Sequence, residues 1–94
     1  MGTNAIITIR IMPESPEVDL EHIRTEAEKK INAFVGKSQQ KQHEIKPVAF
    51  GLKSLDIFFM MDEDLGSPDS VAEDIGTLEG VQSAEITNVT RAMG

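Results

Sequence analysis

The chain predicts an α+β fold of order β-α-β-β-α-β, a four-stranded antiparallel sheet carrying two helices on one face. Three observations predict it. Apolar residues alternate with period 2 over 5–12, an apolar stripe with helical spacing runs over 20–34, and two strand-like runs meet at Gly51.

The first strand places Ala5, Ile7, Ile9 and Ile11 on one face and Ile6, Thr8, Arg10 and Met12 on the other. Met12-Pro13-Glu14-Ser15-Pro16 ends it, because two prolines remove ladder donors. Asp19 is a good N-cap, with Val18 and Ile23 placed as a hydrophobic staple. Leu20, Ile23, Ala27, Ile31 and Phe34 then form the buried stripe of a helix over Leu20–Val35, with Lys29 and Lys30 in the last turn and Gly36 as its stop. Residues 37–42 read as a loop or a frayed strand start. His43–Ala49 reads as extended, and Pro47 restricts it to a sheet edge or a bulge.

Beyond Gly51, Leu55, Ile57, Phe59 and Met61 line one face, and Ser54, Asp56, Phe58 and Met60 the other. A strand apolar on both faces near its end belongs in the middle of a sheet. Ser67, Pro68 and Asp69 have the grammar of a second helix start, and Val71, Ile75 and Leu78 give its stripe. Gly76 weakens that helix and Gly80 stops it. The last strand runs Val81–Val89, and residues 91–94 form a tail. Two split β-α-β units in this order make the ferredoxin-like arrangement, with strands one and three central and two and four at the edges. Ile6, Met12, Phe58 and Met60 then fall on the open face, as a contact surface or beneath neighbours such as Arg10 and Lys46.

A length of 94 residues suits one domain, 1–94, which buries roughly 60–65% of its unfolded surface. No run is long enough to span a membrane, and the start lacks the pattern of a secretory signal. Absence of cysteine excludes disulfides and thiolate metal sites, so a reducing compartment, the cytoplasm, is expected. A net charge of −7 disfavours phosphate backbones and suits a basic protein surface, or merely confers solubility.

Covalent chemistry has few candidates. His22 and His43 lack partners in the pattern and read as solvent-facing. Asp62-Glu63-Asp64 lacks the ligand spacing of a calcium loop and reads as an acidic turn. No glycine loop cradles phosphate. No metal ligand and no cofactor is assigned. Phe50 stands apart, as a ring at a hairpin tip that either folds over the sheet edge or projects toward a partner. Arg91 reads as a solubilising charge or as a second contact. The second and fourth strands each run antiparallel to a central neighbour. They are therefore expected to be parallel to each other, which sets Phe50 and Arg91 at one end of the sheet.

Three stretches carry a resemblance: Met12-Pro13-Glu14-Ser15-Pro16 with Val18-Asp19-Leu20, Lys46-Pro47-Val48-Ala49-Phe50-Gly51-Leu52-Lys53-Ser54-Leu55, and Val81-Gln82-Ser83-Ala84-Glu85-Ile86. Together they resemble the archaeal form of the translation elongation factor 1-beta family, over the whole chain in one register. The resemblance implies a guanine-nucleotide exchange factor for the GTPase elongation factor 1-alpha, with the fold above and no covalent chemistry of its own. It implies a docking surface of Pro47, Val48, Ala49, Phe50, Gly51 and Leu52, with Phe50 inserted into the partner. It also implies that Arg91, aligned with a basic residue that is lysine in eukaryotic members, reaches toward the partner's magnesium and phosphate site. Here Ala92-Met93-Gly94 follow that residue. The remaining readings of the fold are a small-molecule-binding regulatory module and an RNA-binding module. The charge and the lack of Tyr and Trp oppose the latter.

Overall fold

The computed structural model describes residues 4–36 and 41–92. Its elements are β1 (Asn4–Pro13), α1 (Leu20–Val35), β2 (Lys41–Pro47), β3 (Lys53–Asp62), a 3₁₀ turn (Glu63–Leu65), α2 (Asp69–Gly76) and β4 (Val81–Ala92). The strands form one sheet in the order β2-β3-β1-β4, every adjacent pair antiparallel. This is the ferredoxin-like α+β arrangement, with the apolar strands β1 and β3 central.

Period-2 alternation explains the core. Ala5, Ile7, Ile9 and Ile11 of β1 and Leu55, Ile57, Phe59 and Met61 of β3 are all buried. They meet Ile23, Ala27 and Ile31 of α1 and Val71, Ala72 and Ile75 of α2 in one cluster. Each fully buried aliphatic or aromatic side chain contributes roughly 1.5–3 kcal/mol of transfer free energy, so these four elements supply most of the driving force.

Local chemistry sets the helix ends. Both the Glu21 and His22 N–H groups donate to Asp19 Oδ1, at 3.0 and 3.4 Å, which satisfies two orphan donors of α1. Gly36 closes that helix at φ 94°, its N–H donating to the Asn32 carbonyl. Lys29 and Lys30 fall short of the last turn, which holds no basic residue; Lys29 pairs with Glu26 instead. For α2, the N-cap is Pro68 rather than Ser67 and has no side-chain cap bond, although the Ser67 hydroxyl accepts from the Asp69 N–H at 3.2 Å; the helix stops at Gly76 rather than running on to Gly80.

β2 begins at Lys41, so the end of the stretch expected to be a loop or a frayed strand start is strand; residues 37–40 lie outside the described residues. Likewise, β4 runs past Val89. Arg91 and Ala92 are strand residues opposite Ala5 and Asn4, not part of a tail, while 93–94 lie outside the described residues. A bulge lies within β4: Ile86 faces Ile9 and Asn88 faces Thr8, so Thr87 is unopposed. The extra residue brings Val89 into register with Ile7, and Arg91 with Ala5.

On the sheet face away from the helices, Ile6 is exposed, while Met12, Phe58 and Met60 are half-buried. Thr8, Ser54 and Asp56 on that face are buried.

Candidate functional site

The expected docking residues form the connection between β2 and β3. Pro47 is the last residue of β2 and pairs with Lys53. Because β2 is an edge strand, the donor that proline lacks costs the sheet little there. The Val48 N–H donates to the Leu52 carbonyl at 2.9 Å, and the Leu52 N–H donates to the Ala49 carbonyl at 3.0 Å. Between them Phe50 has φ 56° and Gly51 φ 78°. Positive φ at both central residues matches the right-handed twist of the flanking strands.

Glycine accepts this conformation freely, but phenylalanine does not. Left-handed backbone costs an L-residue with a bulky side chain roughly 1–2 kcal/mol. Phe50 is the one non-glycine residue with positive φ among those described. Its ring is also 97% exposed, so it gains none of the burial that an aromatic group ordinarily contributes. The ring thus projects rather than folding over the sheet edge. Val48 and Ile45 beside it are exposed too. Residues 47–53 line a shallow concavity of about 190 Å³, so the six expected docking residues share one surface.

The segment between β1 and α1 packs behind this turn. Pro16 Cγ lies 3.9 Å from where a Cβ on Gly51 would sit. A cleft of about 410 Å³ separates the two segments, lined by Pro13, Pro16, Val18, Leu20, Ile45 and Gly51 among others. The Glu14 N–H donates to the Gly80 carbonyl, which adds the start of β4 to the same end of the sheet.

Arg91 is not at this end, which corrects the expectation that it shares a rim with Phe50. β2 is antiparallel to β3, β3 to β1, and β1 to β4, so three reversals leave β2 and β4 antiparallel to each other. The end of β4 therefore lies beside the start of β1, with Ala92 opposite Asn4 and Asn4 opposite Asp62. From Ala5, the register partner of Arg91, to Pro13 is eight steps of β1, or roughly 26 Å at strand rise.

His22 and His43 are exposed. In the acidic turn, Asp62 Oδ1 accepts from the Asp64 N–H at 2.9 Å. Among the described residues no three His, Asp or Glu side chains are grouped to hold a metal ion, and no helix is long and apolar enough to cross a membrane.

Sequence reasoning missed one constellation. Asp56, buried on the uncovered face, meets Arg10 Nε at 3.2 Å and Lys46 Nζ at 3.6 Å. The signal for it was a carboxylate in the interior of a central strand otherwise rich in apolar residues.

The fold and the turn together define a ferredoxin-like domain that presents an exposed aromatic group on a left-handed backbone. Comparison with known proteins supplies the family. Residues 6–92 match the EF-1 guanine nucleotide exchange domain, and the chain belongs to that family of exchange factors. The chain is 36% identical over 90 residues to elongation factor 1-beta of Methanothermobacter thermautotrophicus, covering 96% of this chain and 98% of that protein. To elongation factor 1-beta of Nanoarchaeum equitans it is 37% identical over 84 residues, or 89% of this chain and all of the other. Elongation factor 1-beta of Sulfurisphaera tokodaii is 33% identical over 90 residues. Among solved structures, a de novo designed protein, Foldit4, superposes with a TM-score of 0.65 over 97% of this chain and 98% of its own, at 14% identity; that likeness concerns the fold alone.

Proposed function

We propose that residues 1–94 act in the cytoplasm as one exchange domain that binds elongation factor 1-alpha at two separated points. At the first, the turn 47–52 docks and Phe50 is buried in the partner. At the second, Arg91 approaches the partner's magnesium and phosphate site. The observation that carries this reading is Phe50 itself, fully solvated on a left-handed backbone. Strain of this kind persists where a site uses it, and burial on docking would recover what the isolated fold forgoes.

The mechanism is differential binding. An exchange factor shifts nothing unless it holds the nucleotide-free GTPase more tightly than the GDP-bound one. A guanidinium brought near the magnesium ion competes with it electrostatically, and a weakened metal leaves the β-phosphate less neutralised. Phe50 contributes affinity; Arg91 contributes the disturbance. The charge of −7 favours approach to a basic partner surface.

The test is release of fluorescent GDP from the cognate elongation factor 1-alpha into excess unlabelled nucleotide. Acceleration is expected at micromolar concentrations of this domain, and its absence rejects the proposal.

A further inference from the structure

We infer that Asp56 is a positioning residue for the Phe50 turn: its carboxylate, through Lys46, ties the end of β2 to the centre of the sheet and so holds the tip at a fixed attitude. The consequence for partner binding rests on the docking reading above, whereas the tie itself does not.

Asp56 is 1% exposed although no helix covers its face of the sheet. A carboxylate withdrawn from water persists only when paired and hydrogen-bonded. Arg10 of the neighbouring strand β1 supplies both, with Nε donating to Oδ1 at 3.2 Å and Nη2 donating to Oδ2 at 3.5 Å. Arg10 is held more firmly protonated by its hydrogen bond with Asp56 and by the attraction of that carboxylate, and Glu85 of β4 adds to this. From the other side, Lys46 Nζ lies 3.6 Å from Asp56 Oδ2 and 3.9 Å from Glu44. The groups Lys46, Asp56, Arg10 and Glu85 thus alternate in sign across β2, β3, β1 and β4.

The outermost member of that row matters most for the turn. β2 has a strand neighbour on one side only, every residue from Gln42 to Pro47 is exposed, and Pro47 offers the ladder no N–H. The backbone ladder beside the turn is therefore thin, and side-chain ties there carry weight. Lys46 immediately precedes Pro47, where the turn begins, and it pairs with Asp56, the one buried carboxylate of the uncovered face among the described residues. Moving that anchor lets the stem pivot and spreads the directions in which Phe50 points.

Hydrogen exchange at the Val48 and Leu52 amides reads the tie directly, without a partner. In Lys46→Met and in Asp56→Asn these amides are expected to exchange about fivefold or more faster, while the Ile9 amide in Lys46→Met keeps its wild-type rate. Should Asp56→Asn fail to fold, Lys46→Met decides, since its side chain is 46% exposed and leaves the Asp56–Arg10 pair intact. Lys46→Arg keeps the cation and is expected to keep wild-type rates. Unchanged turn exchange in Lys46→Met overturns the inference. Binding to nucleotide-free elongation factor 1-alpha separates the two readings. A loss in Lys46→Met that vanishes in a Phe50→Ala background supports positioning, and additive losses refute it. If Phe50→Ala binds as wild type while the turn exchanges faster in Lys46→Met, the tie stands and the docking reading falls.

Discussion

Phe50 and Arg91 occupy opposite ends of the sheet. Phe50 crowns the turn between β2 and β3, beside the end of β1, whereas Arg91 stands in register with Ala5 near the start of β1. Contacts so far apart without shared neighbours act independently. In a double-mutant cycle on partner binding, Phe50→Ala and Arg91→Ala are expected to couple by less than about 0.5 kcal/mol. Strong coupling would mean that the partner closes both ends into one site.

The two groups are also expected to divide the work. Arg91→Ala should slow GDP release at saturating factor by about tenfold, or about 1.4 kcal/mol of barrier, with less effect on docking. Titrating the release rate against factor concentration measures both. An unchanged plateau would assign the disturbance of the metal to another group.

Affinity and stability are expected to be opposed at the turn. Phe50→Ala is expected to weaken binding by about 2 kcal/mol or more, as for a buried aromatic anchor. Phe50→Asn should weaken it similarly yet raise folding stability by about 1 kcal/mol, because Asn-Gly suits positive φ at both central positions. Urea unfolding and a binding titration on the same protein check the pair. A loss of stability in Phe50→Asn would mean that the ring supports the fold.

Gly80 is tied to the entry of α1. It has φ 88°, and a Cβ there would lie 3.1 Å from Val18 Cγ1 and 3.8 Å from Ile23 Cδ1, the two residues of the staple. Gly80→Ala therefore combines strain with overpacking and should cost about 1–3 kcal/mol in urea unfolding.

Acid should loosen α1 through its surface pairs. Arg24 hydrogen-bonds and attracts Glu21, holding its carboxyl below the ordinary 4.5, and Lys29 does the same for Glu26. A carboxylate lowered in the folded state stabilises above its unfolded value, and that contribution is lost as pH falls through the folded one. Both groups lie at the surface, so the effect is small and screened by salt. Replacing both with Gln should flatten the stability profile below about pH 4.5, followed by chemical unfolding at low ionic strength.

Most of the fold was legible because it is written locally. The apolar stripe and the Asp19 cap place α1 at Leu20–Val35, as expected, and alternation in β1 and β3 separates the buried face from the other. What escaped was relational. Whether Phe50 and Arg91 share an end depends on counting strand reversals, and the count from the register reverses the expected outcome. The end of β4 was hidden because the bulge at Thr87 breaks its alternation. Asp56 draws its partners from positions 46 residues earlier and on the neighbouring edge strand, beyond any local pattern. The turn residues were visible from Pro47 and Gly51, but the backbone strain at Phe50 was not, since Phe is not the residue that this turn geometry selects.

The unopposed Thr87 gives the far end of β4 an adjustable setting. Alternation in a strand has period 2, so pairing the same residues without a bulge would bring Arg91 opposite Asn4 instead of Ala5 and shift everything beyond Ile86 by one register step. The register of the terminal segment is in this way set by one residue held outside the ladder of an edge strand: deleting Thr87 would close the bulge and keep Arg91 opposite Ala5, whereas drawing Thr87 into the ladder would displace the whole segment by one step.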